Sequence, residues 1–168
     1  MFHRILVGVD DSPAAKLALK RAVELVEAGH GRLGLLSSAP APPPLASVGP
    51  AVLPVSRKQL EQELVKWAQR NVEAAAELVP EEIPVTKLVA HGSPGRALLR
   101  EARTGCWDLL IVGHSHHRRM PLLERVGERL NRRSPVPVLV VHEEPHEPLP
   151  ARRGWLRRRR RRTQVRTA

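Results

Sequence analysis

The sequence predicts one α/β domain built on a single parallel sheet, and three observations carry that prediction. Short β-rich apolar runs alternate with stretches whose apolar residues recur at helical spacing, in the order βαβ, a loop, then αβαβαβ. A cap-and-proline turn follows two of those runs, as Asp11-Ser12-Pro13 and as His91-Gly92-Ser93-Pro94. Apolar residues make up 42% of a 168-residue chain, enough to bury the core of one domain and leave an appendage. Parallel strands need right-handed crossovers, which put helices on both faces of the sheet. Such sheets bind ligands beyond the carboxyl ends of their strands, beside the topological switch point.

Arg4 to Asp10 reads as a strand buried on both faces, because its apolar run does not alternate. Leu17, Ala18, Ala22, Leu25 and Val26 give the first helix its apolar face, and Gly29 is expected to end it. Arg32 to Ser37 forms a second strand. Positions 38–55 then carry six prolines, Pro40, Pro42, Pro43, Pro44, Pro50 and Pro54, which excludes regular structure and predicts a surface loop. A long helix starts at Ser56, runs through Leu60, Leu64, Trp67, Val72 and Leu78, and stops at Pro80. Val85 to Ala90 is the third strand. Ala97, Leu98 and Ala102 mark a third helix ending near Gly105, and Asp108 to Gly113 the fourth strand. A basic loop, a helix around Leu122, Leu123, Val126 and Leu130, and a fifth strand from Pro137 to His142 complete the alternation. The domain is expected over 1–143, with 144–168 as an Arg-rich tail of little order. The candidate site lies at the strand ends marked by Asp10, Ser37, His91 and Gly113.

The net charge of +11 suggests a nucleic-acid binder until it is divided along the chain. Residues 151–168 hold nine arginines and no acid; without them 19 basic side chains face 17 acidic ones. The domain itself is nearly neutral. Six consecutive arginines, Arg157, Arg158, Arg159, Arg160, Arg161 and Arg162, lie close to Trp155 and suit a sequence-independent polyanion such as nucleic acid, or a solvated extension with no partner. No apolar run reaches the roughly 18 residues of a membrane span, so no integral membrane association is expected. The opening run meets Asp10-Asp11 and does not read as a signal peptide, and a lone cysteine, Cys106, fits a reducing compartment. A cytoplasmic location follows as the expectation.

Several segments together resemble the universal stress protein family. They are Ile5-Leu6-Val7-Gly8-Val9-Asp10-Asp11-Ser12, His91-Gly92-Ser93-Pro94, Asp108 to Gly113, and Ser134-Pro135-Val136-Pro137-Val138-Leu139-Val140-Val141. The resemblance covers about residues 2–142. It implies a flavodoxin-like, Rossmann-like, doubly wound five-stranded parallel sheet of order 3-2-1-4-5. It also implies a homodimer paired through the fifth strand, whose run Val138, Leu139, Val140 and Val141 is apolar throughout. ATP-binding members follow the fourth strand with Gly-x2-Gly-x9-Gly-Ser/Thr, whose small residues let backbone N–H groups approach phosphates. This chain keeps Gly113 but has His116 at the second glycine, and Glu124-Arg125 where the closing Gly-Ser aligns from Pro135. An ionised Glu124 about 5 Å from a phosphate would repel it by roughly 3 kcal/mol at an effective dielectric of 20. Asp10, which faces the adenine in ATP-binding members, is then left as a strand-end cap. The resemblance is to the UspA-type branch, which lacks nucleotide binding, with an ATP-binding member using an atypical loop as the alternative.

The remaining polar residues point to no catalytic or metal centre. His114, His116 and His117 share a loop with arginines that would repel a cation. Ser12 and Ser93 each precede a proline and read as helix caps, with no Gly-x-Ser-x-Gly elbow around them. Cys106, beside Trp107, is expected to be packed. The sequence therefore predicts a non-catalytic, dimeric stress-response protein with no cofactor. The alternatives are ATP binding and tethering to a polyanion through the tail.

Overall fold

The computed structural model describes residues 2–42, 56–114, 127 and 129–142. Most of the Pro-rich segment, the basic loop with His116, Glu124 and Arg125, and the whole Arg-rich tail lie outside the described residues.

β1 (Arg4–Gly8) occupies the centre of a five-stranded, all-parallel sheet. It is followed by α1 (Pro13–Glu27), β2 (Arg32–Ala39), α2 (Arg57–Ala76), β3 (Val85–His91), α3 (Pro94–Thr104), β4 (Leu109–His114) and β5 (Val138–His142). The strand order is β3-β2-β1-β4-β5, as the resemblance implies. The chain first winds outward from β1 to β3, and α3 then carries it back across β1 to β4. The switch point therefore falls between β1 and β4.

The two faces of the sheet separate by the two-residue period of a strand. Ile5, Val7, Leu33, Leu35, Leu109 and Ile111 pack with Ala18, Leu19 and Val26 of α1 and Val72 of α2. Leu6, Leu36, Leu110 and Val112 pack instead with Leu98 and Leu99 of α3, and with Leu130 in the helical turn over 129–133. Central strands must satisfy both cores, which is why β1 reads as one unbroken apolar run. The edge strands β3 and β5 each have a single strand neighbour and are far more exposed.

Local structure departs from the sequence reading at several points. β2 continues to Ala39, because β3 pairs with it as far as His91, so the loop begins later than position 38. α1 turns its stripe of Ala15, Ala18, Leu19, Ala22 and Val26 to the sheet, leaving Leu25 exposed at its flank. Its end is set by His30 and not by Gly29: His30 takes a left-handed φ of 48°, and the Gly31 N–H donates to the Val26 carbonyl. α2 stops at Ala76 and not at Pro80. The N–H groups of Leu78 and Val79 reach back only three residues, tightening the last turn, and Leu78 is left 60% exposed. Ser93 occupies the N-cap of α3 but makes no side-chain capping bond, whereas Ser12 accepts from Ala15 N and Ser56 completes a capping box with Gln59. Cys106, expected to be packed, is exposed at a left-handed φ of 56°.

Candidate functional site

The carboxyl ends of β1, β2 and β4 meet beneath the first turn of α1. Asp10 sits just past β1, and its Oδ1 accepts from the Ser12 N–H at 2.9 Å. Ser12 Oγ in turn accepts from Ala15 N at 3.1 Å, so Asp10 and Ser12 together fix the entry to α1. Pro13 follows at the first helical position, where its missing N–H costs nothing. Asp10 thus has the strand-end capping role that the sequence reading allowed it.

Gly113, the one retained glycine of the phosphate motif, backs directly onto α1. A Cβ placed on it would lie 2.3 Å from the Ala14 carbonyl carbon and 2.6 Å from Ala15 N. Packing alone therefore requires glycine there, whether or not a phosphate ever approaches. Gly92, in the second cap-and-proline turn, has a φ of +90° that L side chains rarely adopt. Its N–H donates to Ala39 O, and its carbonyl accepts from Ser38 Oγ at 2.6 Å.

Two small cavities flank Asp10. One, of about 100 Å³, lies over the switch point and is lined by Asp10, Ser37, Trp67, Pro94 and Gly113 among others. Ser37 is 2% exposed, and its Oγ has no hydrogen-bond partner among the described residues. The other, of about 140 Å³, opens between α1 and α2 beside Asp10 and Asp11. A wider hollow of about 760 Å³ lies over the ends of β2 and β3, lined by Pro40, Arg57, Glu61 and His91 among others.

Of the residues the sequence reading singled out, the structure brings Asp10, Ser37 and Gly113 to the same cleft, while His91 lines the wider hollow beside it. Val138, Leu139, Val140 and Val141 lie together on the edge strand β5, with Leu139 39% exposed. His116, Glu124, Arg125 and Arg157 to Arg162 fall outside the described residues. Sequence reasoning missed Trp67 as a cleft residue, since nothing local marks it. It also missed that His142 stands in register with His114, the two rings meeting edge-on with centroids 5.1 Å apart. Among the described residues, no group of three or more His, Cys, Asp or Glu gathers as a metal site.

The opposite, amino end of the sheet carries an ion pair reinforced by backbone hydrogen bonds. The Asp108 carboxylate accepts from Arg4 Nη2 at 2.9 Å and from the Arg4 and His3 N–H groups at 3.0 and 3.2 Å. The hydrogen bond from the Arg4 guanidinium holds the Asp108 carboxyl below its ordinary value, against the partial burial that pushes it up, and raises Arg4 in return.

Comparison with known proteins agrees with this architecture. The family model described as "Universal stress protein family" matches residues 1–142. A universal stress family protein from Burkholderia pseudomallei superposes with a TM-score of 0.65 at 22% identity, covering 83% of this chain and 96% of that one. Universal stress protein UspA from Lactobacillus plantarum gives 0.61 at 18% identity, covering 83% and 97%. A family member from Arabidopsis thaliana, solved with AMP bound, gives 0.51 at 14% identity, covering 86% and 94%. Among the described residues, no helix is long and apolar enough to cross a membrane. The family match spans nearly the whole described fold, and the solved structures share its sheet and helices: the chain belongs to the universal stress protein family.

Proposed function

We propose that this universal stress protein acts in the cytoplasm by binding and not by catalysis, as a homodimer whose switch-point cleft does not hold ATP. The observation that carries this reading is the cleft itself. Its volume of about 100 Å³ is well under the roughly 300–1,000 Å³ of small-molecule sites. Its two family residues have other duties, since Asp10 holds the turn into α1 and Gly113 admits α1 to the sheet. His116 and Glu124-Arg125 add bulk and an acid where ATP-binding members have small residues. Calorimetric titration of the full chain with ATP and magnesium tests the reading. No binding at physiological strength is expected, and a Kd below about 10 μM, or roughly −7 kcal/mol, overturns it.

The dimer is proposed through β5, an apolar edge strand with Leu139 exposed and only β4 beside it. Sedimentation should give twice the monomer mass, and Val140→Lys should shift the chain towards monomer.

The division of charge favours a second reading, in which the dimer tethers a polyanion. Nine of the 28 basic residues lie in the last 18 positions. If about six arginines engage duplex phosphates, log affinity should fall with log salt at a slope near −5. Truncation after Pro150 should abolish that binding.

A further inference from the structure

We infer that the outer edge of β3 is a self-association surface, which pairs antiparallel with β3 of a second copy of this chain. At the start of the β2–β3 ladder Leu33 N donates to Pro84 O at 2.9 Å, and at its end Gly92 N donates to Ala39 O at 2.8 Å. Residues that bond to one neighbouring strand alternate along a parallel strand, so these two bonds fix the parity. The even-numbered residues from Pro84 to Gly92 bond towards β2. Val85, Lys87, Val89 and His91 therefore turn their N–H and C=O groups outward, where no strand lies beyond them. Such an edge is a template for another strand unless a charge guards it. Lys87 is the one charge within the strand's middle, and its ammonium is drawn onto Glu73 of α2. Val89, two residues on, is 39% exposed.

Charge selects the partner and its direction. Glu81 and Glu82 are exposed in the turn that enters β3 and form no ion pair with the described residues. At the far end of the strand stand exposed His91 and, in the first turns of α2 and α3, Lys58 and Arg96, also without ion pairs to the described residues. The neighbouring charges are engaged or set back: Arg57 pairs with Glu61, Lys66 pairs with Glu63, and Arg32 stands one strand inward on β2. The edge is thus acidic where β3 begins and basic where it ends. A parallel partner would oppose like charges at both ends, whereas a twofold, antiparallel partner opposes unlike ones at both. With the twofold at Leu88, Val85 faces His91 and Lys87 faces Val89, so every outward residue of both copies is paired. One strand pair is a small contact, which makes this association weaker than that of a standard interface. It is independent of β5, at the opposite edge of the sheet.

The full-length protein and its Val140→Lys variant are compared by sedimentation equilibrium from about 10 to about 500 μM, with amide hydrogen exchange as a second readout. The mass should rise at least about twofold across that range in both, whatever state β5 sets at the low end. A wild-type monomer at the low end would count against the β5 dimer alone. Val89→Lys places two lysines face to face across the pairing and should abolish the rise, whereas Val89→Glu places a carboxylate against Lys87 and should keep it. Glu81→Lys with Glu82→Lys, and Lys58→Glu with Arg96→Glu, should each lose the rise alone and regain it when the two proteins are mixed. The Lys87 and Val89 amides should gain exchange protection as concentration increases. A constant mass, a rise that survives Val89→Lys, equal loss in Val89→Lys and Val89→Glu, or no recovery on mixing overturns the proposal.

Discussion

The two ends of the sheet are built to different standards. At the amino end, Asp108 accepts from two backbone N–H groups and the Arg4 guanidinium, joining β1 to the start of β4. Beside it Trp107, only 7% exposed, closes over Gly34 so tightly that a Cβ there would sit 2.3 Å from the ring. Its indole N–H donates to Glu101 at 3.1 Å. At the carboxyl end, Ser37 Oγ and Asn71 Nδ2 are buried without partners among the described residues, each beside a cavity that touches Asp10. The amino end is held by paired polar groups, and the carboxyl end leaves two buried ones unpaired among the described residues. Buried polar groups normally find partners, and these two depart locally from that rule.

Substitutions at the two ends should differ in effect. The largest effect should come from the amino end. Trp107→Ala removes a buried aromatic whose collapse is limited by the flat face of Gly34, and should destabilise by about 3–5 kcal/mol in denaturant titration. Gly113→Ala should cost about 1–3 kcal/mol through overpacking against the α1 backbone. Because the cause is steric, the loss should be the same with or without ATP. Asp108→Ala should cost about 1–2 kcal/mol, and its pH dependence has a definite sign. The Asp108 carboxyl lies below its ordinary value in the folded protein, so its stabilisation is fully present above the unfolded value near 3.9. That stabilisation is lost as pH falls through the lowered folded value. Wild type and Asp108→Ala should therefore converge in stability as pH drops below about 4.

The same contrast separates what the sequence made legible from what it did not. Central strands were readable because burial on both faces leaves an unbroken apolar run, as in Ile5-Leu6-Val7 and Leu109 to Val112. Ser12-Pro13 announced α1 through capping chemistry that is local, and the structure shows the bond. Ser93-Pro94 carries the same local signal without the bond, since its helix is placed by packing of Leu98 and Leu99 and not by its cap. The positions of Asp10 and Gly113 in one cleft followed from topology. Their duties did not, because the closeness of Gly113 to Ala14 is a contact between residues 99 positions apart. Trp107 and Cys106 illustrate the same limit. Adjacent in sequence, one is buried and the other exposed, because Cys106 takes the left-handed turn that directs Trp107 onto β2. The unpartnered atoms of Ser37 and Asn71 were illegible, since each lies where three elements converge.

Ser37→Ala is the smallest change and the most direct test of the division between the two ends. Its hydroxyl is 2% exposed at the residue level and finds no partner among the described residues, so removing it should leave stability within about 0.5 kcal/mol of wild type or slightly raise it. The measurement is equilibrium unfolding of the full-length chain with no added ligand, beside Asp108→Ala as the amino-end reference. A near-zero change for Ser37→Ala against a clear loss for Asp108→Ala is the predicted result. A loss of 1 kcal/mol or more for Ser37→Ala, on the order of one net hydrogen bond, would show the carboxyl end to be as fully bonded as the amino end and would contradict the account.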